Sequence, residues 1–263
     1  MRSFADIHCH IVPGIDDGAS DLAESIAMAR MAAADGTKSL VATPHQLGGN
    51  SHVSAEAIRD GVASLQAALA AENIEVSVLP GADVRIEPEL PKLLKQGKVL
   101  TLADRGKHVL LELPHDTYIP LEQLLASLYK QGLVGILSHP ERNRGIIRSP
   151  GVMEDVVAAG GLLQITAGSL TGAFGSSPQR VADYAIEHRL AHFIASDAHD
   201  TTRRPFGLGE AFEAVVSLAG ESYATLLCCG NPARVVNGED VEGGVVRGGR
   251  QKKAFGFGWF GKK

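Results

Sequence analysis

Histidines and carboxylates recur along this chain at intervals that suit metal binding: Asp6, His8 and His10, then Asp17, His45, Asp83, Glu112 and His139, and finally Asp197 with His199. Nearly all fall at the end of a short apolar run. Side chains delivered from the C-terminal ends of successive parallel strands would meet at one cluster, and nitrogen and oxygen donors around divalent cations are equipment for hydrolysis. His8 and His10 sit two apart, so on a strand they share one face, while Cys9 points to the other as a small core residue. Asp197 and His199 repeat that spacing after the run 193–195. Asp83, after Leu79-Pro80-Gly81, and Glu112, within the run 110–113, are acids beside buried segments, where an unpaired charge is costly and a cation offsets it. His45 follows Thr43-Pro44, which stops a strand where a ligand is needed. The other histidines, His52, His108, His115, His188 and His192, lack such placement and read as surface or packing residues.

The elements that must position these groups follow from the apolar pattern. Strand-like runs occupy residues 4–7, 39–43, 76–80, 108–113, 134–137, 162–166 and 193–195, each followed by a loop and a segment of helical spacing. Asp21 or Ser20 caps the first helix, Ser149-Pro150 and Ser177-Pro178 each place a cap before a proline, and Gly36, Gly132 and Gly160 fit helix stops. Repeated β-loop-α units with right-handed crossovers close most simply into a (β/α) barrel, here a seven-stranded one. A doubly wound open sheet is the alternative, but it would gather ligands at a switch point.

With 263 residues, 44% of them hydrophobic, the chain can bury one large core, which predicts a single domain over residues 1–238 followed by a tail. The start lacks the apolar stretch of a secretory signal and no run approaches a membrane span, so a cytoplasmic protein is expected. Three cysteines, Cys9, Cys228 and Cys229, make no disulfide framework and fit a reducing compartment. The tail, 239–263, is rich in glycine, and from Gly243 onward it holds six basic residues and no acidic ones, so the net charge of −5 divides into +6 there and −11 before it. Phe255, Phe257, Trp259 and Phe260 lie among these basic residues, and a flexible end with occasional docking on a partner or an anionic membrane is expected. An acidic body argues against nucleic acid as a partner.

Two motifs are set aside. Cys228 and Arg234 stand at the Cys-x5-Arg spacing of cysteine-dependent phosphatases, but the cysteine ends a helical run and Pro232 interrupts the loop, whereas a phosphate cradle needs a strand before it and a helix after. Gly256-x-Gly258-x-x-Gly261 spells a dinucleotide fingerprint with no helix to follow.

Taken together, Asp6-Ile7-His8-Cys9-His10 with Asp16-Asp17-Gly18, Ala42-Thr43-Pro44-His45, Gly81-Ala82-Asp83, Leu110-Leu111-Glu112, Ser138-His139-Pro140-Glu141-Arg142-Asn143, Gln164-Ile165-Thr166-Ala167-Gly168-Ser169 and Ala195-Ser196-Asp197-Ala198-His199 resemble the polymerase-and-histidinol-phosphatase superfamily. More narrowly, they resemble its bacterial protein-tyrosine phosphatases of the capsule and exopolysaccharide type. The resemblance runs from Asp6 to about Val236. It implies a distorted seven-stranded barrel, a trinuclear manganese site, and phosphotyrosine on a bacterial tyrosine kinase as substrate. Carried over by residue, His8, His10, Asp83 and Asp197 hold one metal, Asp17, His45 and His199 a second, and Glu112 with His139 a third that shares Asp83. The bridging position is usually glutamate in that family, so the shorter Asp83 predicts a weak or displaced third metal. By donor type alone, iron, zinc or magnesium suit the set as well as manganese.

Such a cluster fits phosphate ester hydrolysis, since clustered cations acidify a water and neutralise non-bridging oxygens. Arg142 and Arg204, in loops just beyond ligands, have the bidentate donors to grip phosphate, a role that matching arginines in the family are assigned. Arg144 and Arg203 read as solvated charges. Loops at 46–53, 114–120, 141–149 and 167–176 would meet substrate. Rival readings are a small-molecule phosphatase acting on a compound such as histidinol phosphate, and a non-catalytic metal-bearing interaction module, against which the full ligand set argues.

Overall fold

The computed structural model describes residues 3–243. The expected tail therefore lies, from residue 244 onward, outside the described residues, and so does the glycine fingerprint. Nine short strands are present among the described residues: β1 (Phe4–Cys9), β2 (Thr37–Ala42), β3 (His45–Gln46), β4 (Ser77–Pro80), β5 (Asp83–Arg85), β6 (His108–Glu112), β7 (Val134–Ser138), β8 (Leu162–Thr166) and β9 (Phe193–Ala195). Every ladder is parallel. They form two sheets, β1-β2-β4 and β3-β5-β6-β7-β8-β9, where the sequence suggests one sheet of seven strands.

The difference arises because two of the expected runs, 39–43 and 76–80, are each followed, after a two-residue break, by a further short strand that joins the other sheet. Thr43-Pro44 separates β2 from β3, since Pro44 has no N–H to give a ladder. Gly81-Ala82 separates β4 from β5 at the same level: a Cβ on Gly81 would stand 2.7 Å from Val41 Cγ1, so the two interruptions press together. Ala42 pairs with Pro80 in the first sheet and His45 with Asp83 in the second, and Asp83 N–H donates to Pro44 O across the step (3.2 Å). At the other margin, His10 N–H donates to Ala198 O and Asp197 N–H to His8 O, both at 2.8 Å, joining the end of β1 to the segment after β9.

Helices follow the strands: α1 (Leu22–Ala34), α2 (Ala55–Ala71), α3 (Leu90–Lys95), α4 (Glu122–Tyr129), α5 (Arg144–Arg148), α6 (Val152–Ala158), α7 (Ala167–Leu170), α8 (Ser176–Glu187), α9 (Leu208–Ala219), α10 (Glu221–Thr225) and α11 (Asn231–Asn237). Asp21 caps α1, its carboxylate accepting from Glu24 N–H. Gly36, Gly132 and Gly160, with φ of 95°, 76° and 89°, end α1, α4 and α6. The two Ser-Pro pairs act differently from expectation. Ser149 closes α5 and α6 begins at Val152, while Ser177-Pro178 lies inside the first turn of α8, where the missing N–H has no intrahelical partner to lose.

The core has two parts. A larger one lies between strands and helices. The smaller contains Ile7, Val41, Leu110, Ile136, Leu162, Phe193 and Ala195, drawn from β1, β2, β6, β7, β8 and β9, with Leu79 of β4 packed against it. Two residues further along the same faces stand Glu112, Ser138, Gln164 and Asp197. The apolar layer thus forms the floor of the polar one. Residues 239–243 pack on the body, Glu242 N–H donating to Asn231 Oδ1 (3.1 Å) and Lys107 Nζ reaching Asp240 (2.9 Å). No helix among the described residues is long and apolar enough to cross a membrane.

Phe193 fills this floor and is fully buried. Phe193→Ala is expected to lower stability by about 3–5 kcal/mol, read as a lower urea midpoint; a change under 1 kcal/mol would contradict its place in the floor.

Candidate metal centre and its arginine rim

The structure brings all nine candidate ligands together: Glu112 ends β6, His10, His139, Asp197 and His199 follow β1, β7 and β9, His8 lies within β1, Asp17 lies in the loop after it, and His45 and Asp83 open β3 and β5 just past the breaks after β2 and β4. They fall into four overlapping groups whose ligand atoms lie within 4.8 Å of one another: His10, Asp17, His45 and His199; His8, His10 and Asp197; His8, Asp83 and His139; and His45, Asp83 and Glu112. The clustering overlaps more than the three separate sets carried over from the resemblance, because His10 serves two groups and Asp83 faces three imidazoles.

Backbone geometry aims these side chains. His139, one residue past β7, has φ 33°, and Asp197, two past β9, has φ 53°, a left-handed conformation that non-glycine residues rarely adopt. Gly18 lies so close to His10 that a Cβ there would stand 2.1 Å from His10 O.

Three histidines are oriented by their outer nitrogens. His8 Nδ1 donates to Gln164 Oε1 (2.8 Å), His10 Nδ1 to Asp16 Oδ2 (2.7 Å) and His199 Nδ1 to Asp197 O (3.0 Å). Each leaves Nε2 facing inward, which is how proteins fix the tautomer of a metal-ligating imidazole. His8 Nε2 and His10 Nε2 lie 3.3 and 3.4 Å from Asp197 Oδ1. Around Asp83 Oδ2 stand His8 Nε2, His45 Nδ1 and His139 Nε2 at 3.6, 3.6 and 3.7 Å, too far for hydrogen bonds. Both oxygens of Asp83 are buried without a hydrogen-bond partner, and so is His199 Nε2. A buried carboxylate ringed by imidazoles that do not reach it is a cavity suited to cations, and the residues present fit metal binding.

Protonation follows from this crowding. Burial opposes ionisation of Asp197, but His8, His10, Arg204 and His139 outweigh it and hold its carboxyl well below the usual range. Asp83 is likewise lowered, burial being outweighed by its imidazole neighbours. Burial and the charge of Asp83 push Glu112 up to about 7. Burial takes His8 down to about 4, whereas His10, although buried, is raised to about 10 by Asp16 and Asp197.

Asp197 divides its carboxylate. Oδ1 faces the His8–His10 pair, and Oδ2 accepts from both Arg142 Nη1 and Arg204 Nη2. Both candidate arginines are thus placed at the rim of the cluster. Arg144 instead pairs with Asp116 (2.9 Å) and Arg203 with Asp200 (3.3 Å), on the surface.

Several participants carry no distinguishing signal in the sequence. Asp16, beside the ligand Asp17, binds His10 and also accepts from His45 N–H (3.0 Å), tying two ligand loops. Glu141 is buried and accepts from Thr166 N–H (3.0 Å) and Ser169 Oγ (2.7 Å), fixing the turn that carries His139 and Arg142. Asp200 accepts from the N–H groups of Thr202, Arg203 and Arg204, shaping the loop that presents Arg204. Phe174 lies beneath Arg142, 4.4 Å from its guanidinium carbon. Of the five histidines set aside, His108 and His192 are buried, and burial lowers each to about 4. Cys228 is buried within a helical turn running into α11, with no strand before it, and does not form a phosphate cradle.

A parallel α/β fold whose strand ends converge on nitrogen and oxygen ligands, rimmed by two arginines, defines a metal-binding hydrolase-type site. Residues 4–237 match the family model for capsular polysaccharide synthesis, CpsB/CapC, and the chain belongs to that family. It is 41% identical over 208 residues to the tyrosine-protein phosphatase YwqE of Bacillus subtilis, covering 78% of this chain and 81% of that one. It is 32% identical over 209 residues to the putative tyrosine-protein phosphatase CapC of Staphylococcus aureus, covering 79% and 81%. A solved structure from work on YwqE and CpsB of Streptococcus pneumoniae, described as unique metal-dependent tyrosine phosphatases, superposes with a TM-score of 0.86 at 36% identity, covering 90% of this chain and 96% of that one. The lactonase Lmo2620 of Listeria monocytogenes shares the fold alone, with a TM-score of 0.55 at 14% identity over 89% of this chain and 93% of that one.

Metal uptake must remove the His10 Nε2 proton and any proton on Glu112, held near 10 and 7. Both pKa values are raised, so loading near neutral pH is expected to release protons and affinity to rise with pH. Calorimetry of manganese binding in buffers of differing ionisation enthalpy measures this; a buffer-independent heat would contradict it.

Proposed function

We propose that the chain is a metal-dependent protein-tyrosine phosphatase that acts in the cytoplasm on phosphotyrosine of a bacterial tyrosine kinase controlling capsule or exopolysaccharide synthesis. The observation that carries the reading is Asp197, whose one oxygen faces a histidine pair while the other holds Arg142 and Arg204. That arrangement sets two phosphate-gripping guanidiniums against the cation cluster. The relatives named as tyrosine phosphatases support the substrate class.

The fold reading is a distorted seven-stranded barrel. It counts β2 with β3 and β4 with β5 as single strands bent at the sheet step, and takes the Cys9–Ala198 bridge as the closure. The inner apolar layer, with side chains from β1, β2, β4, β6, β7, β8 and β9, supports this. The phosphatase domain spans 1–238 and the tail 239–263.

His8, His10, Asp83 and Asp197 would hold one metal, Asp17, His45 and His199 a second, and Glu112 with His139 a third that leans on Asp83. Manganese is the proposed ion on the strength of the family resemblance, the donors suiting iron, zinc or magnesium equally. When bound, such cations supply Lewis acidity, lowering the pKa of a water and neutralising phosphate oxygens. Gln164, Asp16 and the Asp197 carbonyl keep three imidazoles in the ligating tautomer. Arg142 and Arg204 bind the non-bridging oxygens and orient phosphorus, with Glu141 and Asp200 holding their loops. A tyrosine phenolate, of pKa ~10, leaves with little help from a general acid.

Metal-stripped protein is expected to regain hydrolysis of a phosphotyrosine peptide when manganese is returned, to do so equally as Cys228→Ser, and to turn over histidinol phosphate poorly. Asp197→Ala and His10→Ala should lose metal and activity together. Arg204→Ala should keep its metal and lose about 10²-fold in turnover. Activity that survives chelation but not Cys228→Ser would overturn the reading.

A further inference from the structure

Beside the arginine rim lies a cavity of ≈150 Å³ that the ligand cluster does not use. Its walls include Ala167, Gly168, Ala173, Phe174, Pro205 and Phe206, and Ser196 and Arg204 connect it to the site. Phe174 sits on the loop between α7 and α8, which turns back through Ala173 N–H to Gly168 O (2.8 Å) and through Gly172 and Gly175 at φ 83° and 86°. Gly168 permits that approach, since a Cβ there would stand 2.9 Å from Phe174 Cε2.

Resting on the phosphatase reading above, we infer that this cavity is the subsite for the phenyl ring of phosphotyrosine, with Phe174 as the wall the ring packs against. A cavity of about 150 Å³ with largely apolar walls is large enough for a benzene ring. The phosphate itself does not belong there. Glu210 lines the cavity and repels an anion, Arg203 pairs outward with Asp200, and the Arg204 guanidinium is turned to Asp197. An ester whose phosphate lies between the cluster and the two arginines therefore extends its aryl group past Ser196 and Arg204 into the apolar walls. One face of Phe174 supports Arg142, with Arg204 6.0 Å from the ring. An incoming ring meets Phe174 in offset or edge contact, which adds to its area burial. Inorganic phosphate gains nothing from this wall and an aliphatic ester gains only its area burial, so the cavity favours aryl esters.

The test uses the metal-loaded chain with two probes, phenylphosphonate and inorganic phosphate, titrated by calorimetry. Wild type should bind phenylphosphonate about tenfold more tightly than phosphate. Ala173→Leu, at an exposed wall position, fills the cavity without touching a ligand or arginine; it should abolish that tenfold preference and leave phosphate affinity within about twofold. Phe174→Leu, which keeps an apolar support under Arg142, should reduce the preference in the same direction. Metal content and thermal midpoint check that each variant is intact. Equal binding of the two probes by wild type, unchanged phenylphosphonate binding in Ala173→Leu, or parallel loss of both probes would overturn the assignment. Because binding is read without turnover, an absence of phosphotyrosine hydrolysis in wild type would sink the functional reading separately from the subsite.

Discussion

Everything at this site depends on holding buried carboxylates ionised beside imidazoles that do not neutralise them by direct hydrogen bonds. Asp83 and Asp197 are almost wholly inaccessible, and burying a lone carboxylate costs several kcal/mol. The chain offsets that cost in two ways. Asp197 receives two guanidiniums on one oxygen, and Asp83 is ringed by three imidazole nitrogens at 3.6–3.7 Å. The first arrangement is complete in the protein alone, while the second is complete only when cations enter. Both oxygens of Asp83 lack a hydrogen-bond partner, which fits a carboxylate placed to meet a cation.

That demand explains the irregular backbone above the strands. A regular parallel strand would send alternate side chains inward and then leave into a helix. Here β1 carries a register shift between Asp6 and Cys9, and β7 and β9 end in residues of positive φ at His139 and Asp197. Such strain costs about 1–3 kcal/mol for each residue and persists only when the surroundings fix it. They do: Asp197 N–H is tied to His8 O, His139 N–H to Gln164 Oε1, and Asp6 accepts from His8 N–H and Ser196 N–H. Asp6 is buried, which pushes its carboxyl up to about 7, and it accepts from the His8 and Ser196 N–H groups as a clamp on the backbone.

The sequence displays the parts of this machine better than its joints. Strand positions are legible because each is a short β-branched run, and the nine ligands are legible because acids and histidines at the ends of such runs have few other uses. The breaks at Thr43-Pro44 and Gly81-Ala82 were visible as residues, yet that they align to split the sheet depends on Val41 meeting Gly81 across strands. Asp16, Gln164 and Glu141 act through partners 6, 156 and 28 residues away, separations that no local pattern encodes. Phe174 looks like any loop aromatic until Arg142 is seen above it.

The likeness to the lactonase is one of fold only, so what this site does depends on its own side chains rather than on the architecture. Parallel strands that converge on metal ligands supply Lewis acidity to many reactions, and at 14% identity the likeness extends to the fold alone. Carbonyl and phosphoryl substrates differ in how much anionic charge must be gripped away from the metals. A phosphate ester presents oxygens on the side facing solvent, and only fixed cations of the protein can meet them there. Two arginines are tethered to the same carboxylate that faces the histidine pair, so their distance from the cluster is set by one side chain. The side chain that faces the histidine pair therefore also fixes where the arginines stand, which is the basis of the proposed phosphate grip.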